Sequence, residues 1–187
     1  IWYIYKGKPK PDVEKSTLQA MKVSKHSPAF NLSVNKIVTD YYGLSEAFVG
    51  WDSTTLNTKA KQFESDLEAM RLENKEKDSI DQVANSFTDN VAMDLKNLQS
   101  GNNLSEKRKT FNSLSQNMYD LLRTLKYDDK KVFLQLCPMA FGDTGSGLWL
   151  SPSGEDEQRR NPYLGLHHPK YKSGMLTCGE TKDSLNF

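Results

Sequence analysis

The feature that most constrains this fold is a series of four amphipathic segments between residues 33 and 126. In the second segment, apolar residues recur at alternating helical steps, as on a helix packed nearly antiparallel to a neighbour: Leu56, Ala60, Phe63, Leu67 and Met70. Such short helices are unstable alone in water, so they bury these stripes against each other. The spacing therefore predicts a four-helix up-down bundle.

The same periodicity gives bounds for the other three helices. The first is predicted from an N-cap at Ser33 to a C-terminal glycine at Gly50, and the fourth from about Ser105 to Leu125. The third begins after a cap at Asp78 or Ser79 and ends in the turn cluster 100–103. Its predicted buried stripe is Ile80, Val83, Ala84, Phe87, Val91, Leu95 and Leu98.

Beyond residue 128 the helical pattern stops. Residues 131–136 and 147–151 read as two short strands, and the turn-rich segment between them indicates a hairpin. We therefore predict a mainly α fold, a four-helix up-down bundle with a small C-terminal β-hairpin or irregular cap. The predicted division of the chain is 1–32 as an N-terminal anchor remnant and linker, and 33–187 as the bundle with its cap.

Charge and the N-terminal residues bear on location and partners. Lys and Arg number 25 against 24 Asp and Glu, a balance that argues against a nucleic-acid partner. Aromatic residues in 1–5, followed by a Lys- and Pro-rich tract, resemble the interfacial end of a membrane anchor. An edge strand or a disordered start is the alternative. The anchor interpretation predicts a periplasmic or otherwise extracytoplasmic protein, attached to a membrane through residues preceding Ile1.

The candidate chemistry lies in the tract from residue 136 to 180, which holds both cysteines of the chain. Each cysteine has a methionine close by, and two histidines lie between the pairs. Thiolate and thioether sulfur are soft donors that select Cu(I) or, for thiolates, zinc. On an extended segment, residues two apart face the same way, which would direct both sulfurs of the first pair to one site. The predicted ligand set is Cys137, Met139, Met175, Cys178, His167 and His168.

Two alternatives remain open at this point. A Cys137–Cys178 disulfide would staple the loop-rich tract to itself, and closing a loop of about 40 residues contributes roughly 4 kcal/mol in the chain-entropy model. In the second alternative, both cysteines are inert buried thiols. His167 and His168 taken alone are typical of a surface loop.

Enzymatic motifs are absent from the sequence. There is no nucleophile elbow, P-loop, zinc-protease or dinucleotide-binding pattern, and no Cys-x-x-Cys. We therefore expect a protein that is not an enzyme.

Four short runs give the chain a family resemblance: Cys137–Ala140, Gly147–Ser151, Asn161–Gly165 and Met175–Glu180. In this order they resemble a bacterial extracytoplasmic domain family of unknown function with the form CPMA…WLS…NPYxG…MLxCG. That family occurs alone, or fused to periplasmic adaptor subunits of heavy-metal (copper/silver) efflux systems. The resemblance spans about residues 34–180, but this chain carries extra residues, 166–174, between the last two motifs.

The resemblance implies an extracytoplasmic helical bundle with a small cap and a role with heavy metals, and it carries over Cys137, Met139, Met175 and Cys178 as candidate ligands. The two histidines belong to the extra residues. We therefore predict a soft-metal binding module, for copper rather than zinc, in metal homeostasis or efflux. Its expected partner is an efflux adaptor or another periplasmic protein. The alternative is a structural or protein-interaction domain locked by the disulfide.

Overall fold

The chain folds as four helices followed by a three-stranded antiparallel sheet. The computed structural model describes residues 24–74, 82–142 and 145–187. The elements are α1 (Pro28–Val49), α2 (Ser53–Asn74), α3 (Gln82–Ser100), α4 (Leu104–Thr124), β1 (Val132–Cys137), β2 (Gly147–Ser151) and β3 (Glu180–Leu185), with a short 3-10 helix (Asp156–Gln158) before β3. The mainly α fold with a small C-terminal β cap is confirmed.

The predicted apolar stripes form the core of the bundle. Every position of the α2 stripe is buried, as are Phe111, Leu114, Met118, Leu121 and Leu122 of α4. The α3 stripe holds from Ala84 onward, but Val83 is 53% exposed, so the prediction that Val83 is buried is wrong. The proposed caps of α3 and Ile80 lie outside the described residues. None of the helices among the described residues is both long and apolar enough to cross a membrane.

The first helix starts earlier than the sequence predicts. Ser27, not Ser33, is its N-cap and accepts a hydrogen bond from Phe30 N at 3.2 Å, with Pro28 in the first turn. Proline is favoured there because the first N–H groups of a helix have no intrahelical partner. Residues 28–32, predicted as linker, are therefore helical, whereas residues 1–23, with the predicted anchor remnant, lie outside the described part.

The residues just before α1 are attached to the end of α4. Ser24 Oγ donates to a carboxylate oxygen of Asp128 at 2.6 Å, and Lys25 N donates to the other at 2.9 Å. His26 Nε2 lies 3.1 Å from Lys126 O, and its ring stacks on Phe30. The bundle therefore includes the chain from residue 24 onward.

The end of α1 places a tryptophan where glycine is usual. Gly50 has ordinary helical angles, and the next residue, Trp51, has φ 57°. Trp51 N donates to Phe48 O and Asp52 N to Ala47 O, the paired bonds of a Schellman motif. A left-handed conformation costs a residue with a side chain about 1–2 kcal/mol, so contacts of the Trp51 side chain have to offset it.

The sheet has the order β2-β1-β3, with β1 in the centre. The predicted β1–β2 hairpin is confirmed, and its register pairs Cys137 with Gly147. The third strand was not predicted. Antiparallel pairing of β1 with β3 sets Leu136 opposite Glu180 and Val132 opposite Leu185, with an irregularity after Leu134.

A buried carboxyl pair joins α1 and α2. Asp66 of α2 is 6% exposed and forms an ion pair with Lys36 of α1 at 2.6 Å. Burial, with the neighbouring Asp66, raises the pKa of Asp40 to about 6, and the pKa of Asp66 is lowered by its hydrogen-bond partners, Lys36 first. The pair therefore holds a proton on Asp40 above the pH at which a free Asp would lose it.

We predict that Asp40→Asn removes a pH dependence of stability. The folded-state pKa of Asp40 lies above the ordinary value of 3.8. The contribution of Asp40 to folding stability is therefore fully present below pH 3.8, and it is lost as the pH rises through about 6. At pH 7 the variant should be more stable than the parent chain by on the order of 1 kcal/mol, after solvent screening of this half-buried group. The gain should shrink towards pH 4. Urea denaturation at several pH values measures it.

The exposed Asp89, replaced by Asn, is the matched control for the loss of one carboxylate. A gain in Asp40→Asn that is the same at pH 4 and pH 7 would contradict the shared-proton interpretation.

Candidate functional site

The sheet brings the two cysteines together. Cys137 is the last residue of β1, and Cys178 lies just before β3, the strand that pairs beside it. Their Sγ atoms are 3.9 Å apart, and both thiols are free. Two sulfurs from opposite ends of the tract therefore share one location.

The surroundings of this cysteine pair favour a protonated thiol at Cys178. Cys137 is fully buried and Cys178 is half-buried. Burial first, and then the charge and hydrogen bond of Cys137, raise the pKa of Cys178 to about 11, while Arg159 acts in the opposite direction. A metal or an oxidant has to displace a proton to engage Cys178 at neutral pH.

Arg159 is the buried cation beside the pair. Its Nε donates to Gln135 Oε1 at 3.0 Å and its Nη1 to Thr177 O at 3.2 Å, while Nη2 forms an ion pair with Asp156 at 2.6 Å. The guanidinium thereby joins β1, the 3-10 helix and the residue before Cys178. It fixes the backbone that carries the second thiol.

Asn161 is the second residue that fixes this backbone. Its side chain is completely buried, and its Oδ1 accepts hydrogen bonds from the N–H groups of Tyr163 and Leu164. Its Nδ2 donates to Cys178 O at 2.8 Å, and its own N–H donates to Leu176 O. The Asn161–Gly165 turn and the Met175–Gly179 turn are therefore held as one unit.

The two methionines of the predicted ligand set lie in turns. The same-face arrangement predicted for Cys137 and Met139 does not form, because β1 ends at Cys137 and a turn follows; Met139 is 37% exposed. Met175 is half-buried against the core, and Cys178 N donates to the carbonyl of Met175 at 3.1 Å, so these two residues lie in one turn.

The histidines are directed elsewhere. His167 is exposed. His168 Nδ1 accepts from the N–H groups of Lys170 and Tyr171, both at 3.2 Å, and its ring stacks on Tyr171 at 4.8 Å. Within residues 24–74, 82–142 and 145–187, no group of three or more His, Cys, Asp or Glu side chains is arranged to hold a metal ion. The structure therefore unites the cysteines and leaves the histidines outside that pair.

Met139 and His168 line a separate cavity of about 590 Å³. It lies between the start of α4 and the turns that follow β1 and residue 165, and Trp51 and Arg108 also line it. Sequence reasoning missed Arg108, which is 6% exposed. The available signal was its spacing: Arg108 falls one helical step before Phe111, on the apolar stripe of α4.

Comparison with known proteins concerns mainly the bundle. The family model described as "Protein of unknown function (DUF3347)" matches residues 37–130, half of the chain. The chain belongs to this family. The matched residues run from within α1 to just before β1, so the tract with both cysteines follows the DUF3347 match. No curated protein and no solved structure matches the chain.

We predict that Asn161→Ala in this DUF3347 chain loosens the backbone around Cys178. The change leaves two N–H groups and one carbonyl without their partner, which should destabilise the fold by about 2–4 kcal/mol. Thermal denaturation and the rate of Cys178 alkylation measure the two effects, and the rate should rise. The exposed Asn97 of α3, replaced by Ala, is the matched control. Equal stability and equal alkylation in the two variants would contradict the assigned role.

Proposed function

We propose that the chain is an extracytoplasmic soft-metal binding module that holds Cu(I) between Cys137 and Cys178 and serves metal homeostasis or efflux. One observation carries the proposal, the 3.9 Å separation of the two Sγ atoms. Two thiolates at about 2.3 Å from one ion, at the angle of about 120° that three donors make, are about 4.0 Å apart. The existing separation therefore suits a shared ion without rearrangement of the backbone.

The donor chemistry favours copper over zinc. Structural zinc sites are closed by four ligands, and the described residues assemble no group of three or more His, Cys, Asp or Glu side chains. Cu(I) is a soft ion that thiolate and thioether sulfur select. Met175, in the same turn as Cys178, is the thioether we propose as an additional donor. Met139, His167 and His168 are left out of this ligand set.

The affinity of this site for Cu(I) should depend on pH. Cys178, whose pKa is about 11, is protonated at neutral pH, so metal binding releases a proton. The apparent affinity for Cu(I) should therefore rise with pH. Arg159 beside the pair stabilises the thiolate that binding creates.

The proposed setting follows from the resemblance of the four C-terminal motifs. A copper-binding module outside the cytoplasm would deliver its ion to a periplasmic adaptor of a heavy-metal efflux system, or to another periplasmic protein. Membrane attachment through residues preceding Ile1 belongs to the same proposal.

Competition with a chromophoric Cu(I) chelator tests metal binding on reduced protein. We expect one Cu(I) per chain, an affinity at least about tenfold weaker in Cys137→Ser and in Cys178→Ser, and no change in His167→Ala, the control in the same tract. A stoichiometry near zero, or binding that Cys137→Ser leaves intact, would overturn the proposal. Circular dichroism of each variant verifies that the bundle is folded.

The second candidate function is a non-enzymatic structural or protein-interaction domain locked by a Cys137–Cys178 disulfide. The observation that favours it is the pairing of β1 with β3, which aligns the two free thiols without assembling further His or carboxylate ligands among the described residues. The bond would close a loop spanning 41 positions, a stabilisation of roughly 4 kcal/mol.

A thiol count discriminates between the two functions. For the locked domain, protein purified from an oxidising compartment and denatured without reductant should show no free thiol, and reductant should lower its melting temperature. Two free thiols under those conditions contradict the disulfide. The Cys178→Ser variant, which has no pair to oxidise, is the control for effects of the reductant itself.

A further inference from the structure

We propose that the cavity between Trp51, Arg108 and Tyr171 is a binding site for a small organic anion that carries a planar ring. The site is distinct from the cysteine pair, neither member of which lines it. Its volume, about 590 Å³, lies within the range of small-molecule pockets. The cavity thus suits one small molecule.

A buried guanidinium forms the floor of this site. Arg108 Nε donates to Pro162 O at 3.0 Å and Nη2 to Phe48 O at 3.3 Å, and the guanidinium lies 4.0 Å from the centre of the Trp51 ring. Its partners are neutral, so they fix its position without cancelling its charge. The hydrogen bonds of Arg108 to described residues use Nε and Nη2, and the side chain lines the cavity.

The other charged residues in the described lining of the cavity are also positive. Lys109 and Lys170 line it, and no Asp or Glu is present among its described lining residues. The first turn of α4 contributes Leu104 and Ser105, so the positive end of that helix dipole faces the same space. Burial, and then Arg108, Lys170 and Lys172, lower the pKa of His168. The three cations therefore add to the effect of burial on His168.

Aromatic rings supply the walls. His168 stacks on Tyr171 and meets Trp51 edge to face at 5.9 Å. Phe141 and Tyr163 also line the cavity, and their rings meet edge to face at 5.4 Å. Aromatic rings beside a cation suit a flat anion, because stacking and a charge-assisted hydrogen bond then act together.

The backbone is shaped for this arrangement. The left-handed φ of Trp51 turns its indole towards the cavity, where Nε1 donates to Leu164 O at 3.1 Å. Gly165 has φ 57°, and a Cβ there would lie 2.5 Å from Val49 O and 2.9 Å from Trp51 Nε1. Trp51 is a non-glycine residue with a left-handed backbone. Such a residue keeps this conformation only where its surroundings over-determine it, and such residues cluster at ligand sites.

Calorimetric titration of the full chain with 2-naphthoate tests the site. The probe has a carboxylate and a flat ring, and 2-naphthalenemethanol is its neutral counterpart. We expect saturable one-to-one binding of naphthoate and at least about tenfold weaker binding of the alcohol. Equal binding of the two probes, or no binding of naphthoate, would overturn the proposal.

Two variants locate the binding. Arg108→Gln should weaken naphthoate at least about tenfold, and Lys109→Glu by about fivefold. Lys61→Glu makes the same charge change at an exposed position of α2 that does not line the cavity, and it should leave binding unchanged. Equal effects of the two lysine variants would contradict the assigned site.

Nuclear magnetic resonance supplies a readout that does not depend on the buried arginine. Naphthoate should shift the indole N–H signal of Trp51 and raise the pKa of His168, because a bound anion offsets the surrounding cations. The Cys137→Ser variant should bind naphthoate like the parent chain. Loss of naphthoate binding in that variant would contradict the separation of the two sites.

Discussion

The buried hydroxyl of Tyr41 joins two helices of the bundle to the C-terminal sheet. It lies 2.6 Å from Ser115 Oγ of α4 and accepts a hydrogen bond from Leu150 N of β2 at 3.0 Å. β2 is an edge strand, so an N–H that points away from β1 needs a partner when it is buried. Because β2 pairs with β1, and β1 with β3, this contact also sets where both thiols lie.

The parts of the fold that were predictable depend on local pattern. The stripe of α2 follows from its spacing alone, since a helix presents one residue to the core at each step of three or four. The β1–β2 hairpin follows from two apolar runs around a turn-rich segment. The start of α1 was placed at Ser33 and not at Ser27, although Pro28 is favourable in the first turn of a helix.

The candidate site depends on contacts between distant parts of the chain, and these leave little trace in sequence. Cys137 and Cys178 were recognised as a pair, but their proximity comes from β3, a strand with no apolar alternation. Arg108 was missed because an arginine on a helix is usually solvated. Its burial becomes understandable only when Phe48 O, Pro162 O and the Trp51 ring converge on it from separate segments.

The polar sequence of β3 also has a consequence for how these molecules behave at high concentration. β3 forms one edge of the sheet, and Thr181, Lys182 and Asp183 along it are exposed. Unpaired backbone groups at a sheet edge invite another strand to add, and charged side chains on the edge oppose that addition. The polar residues that made this strand hard to predict from sequence thus also protect the sheet against edge-to-edge aggregation.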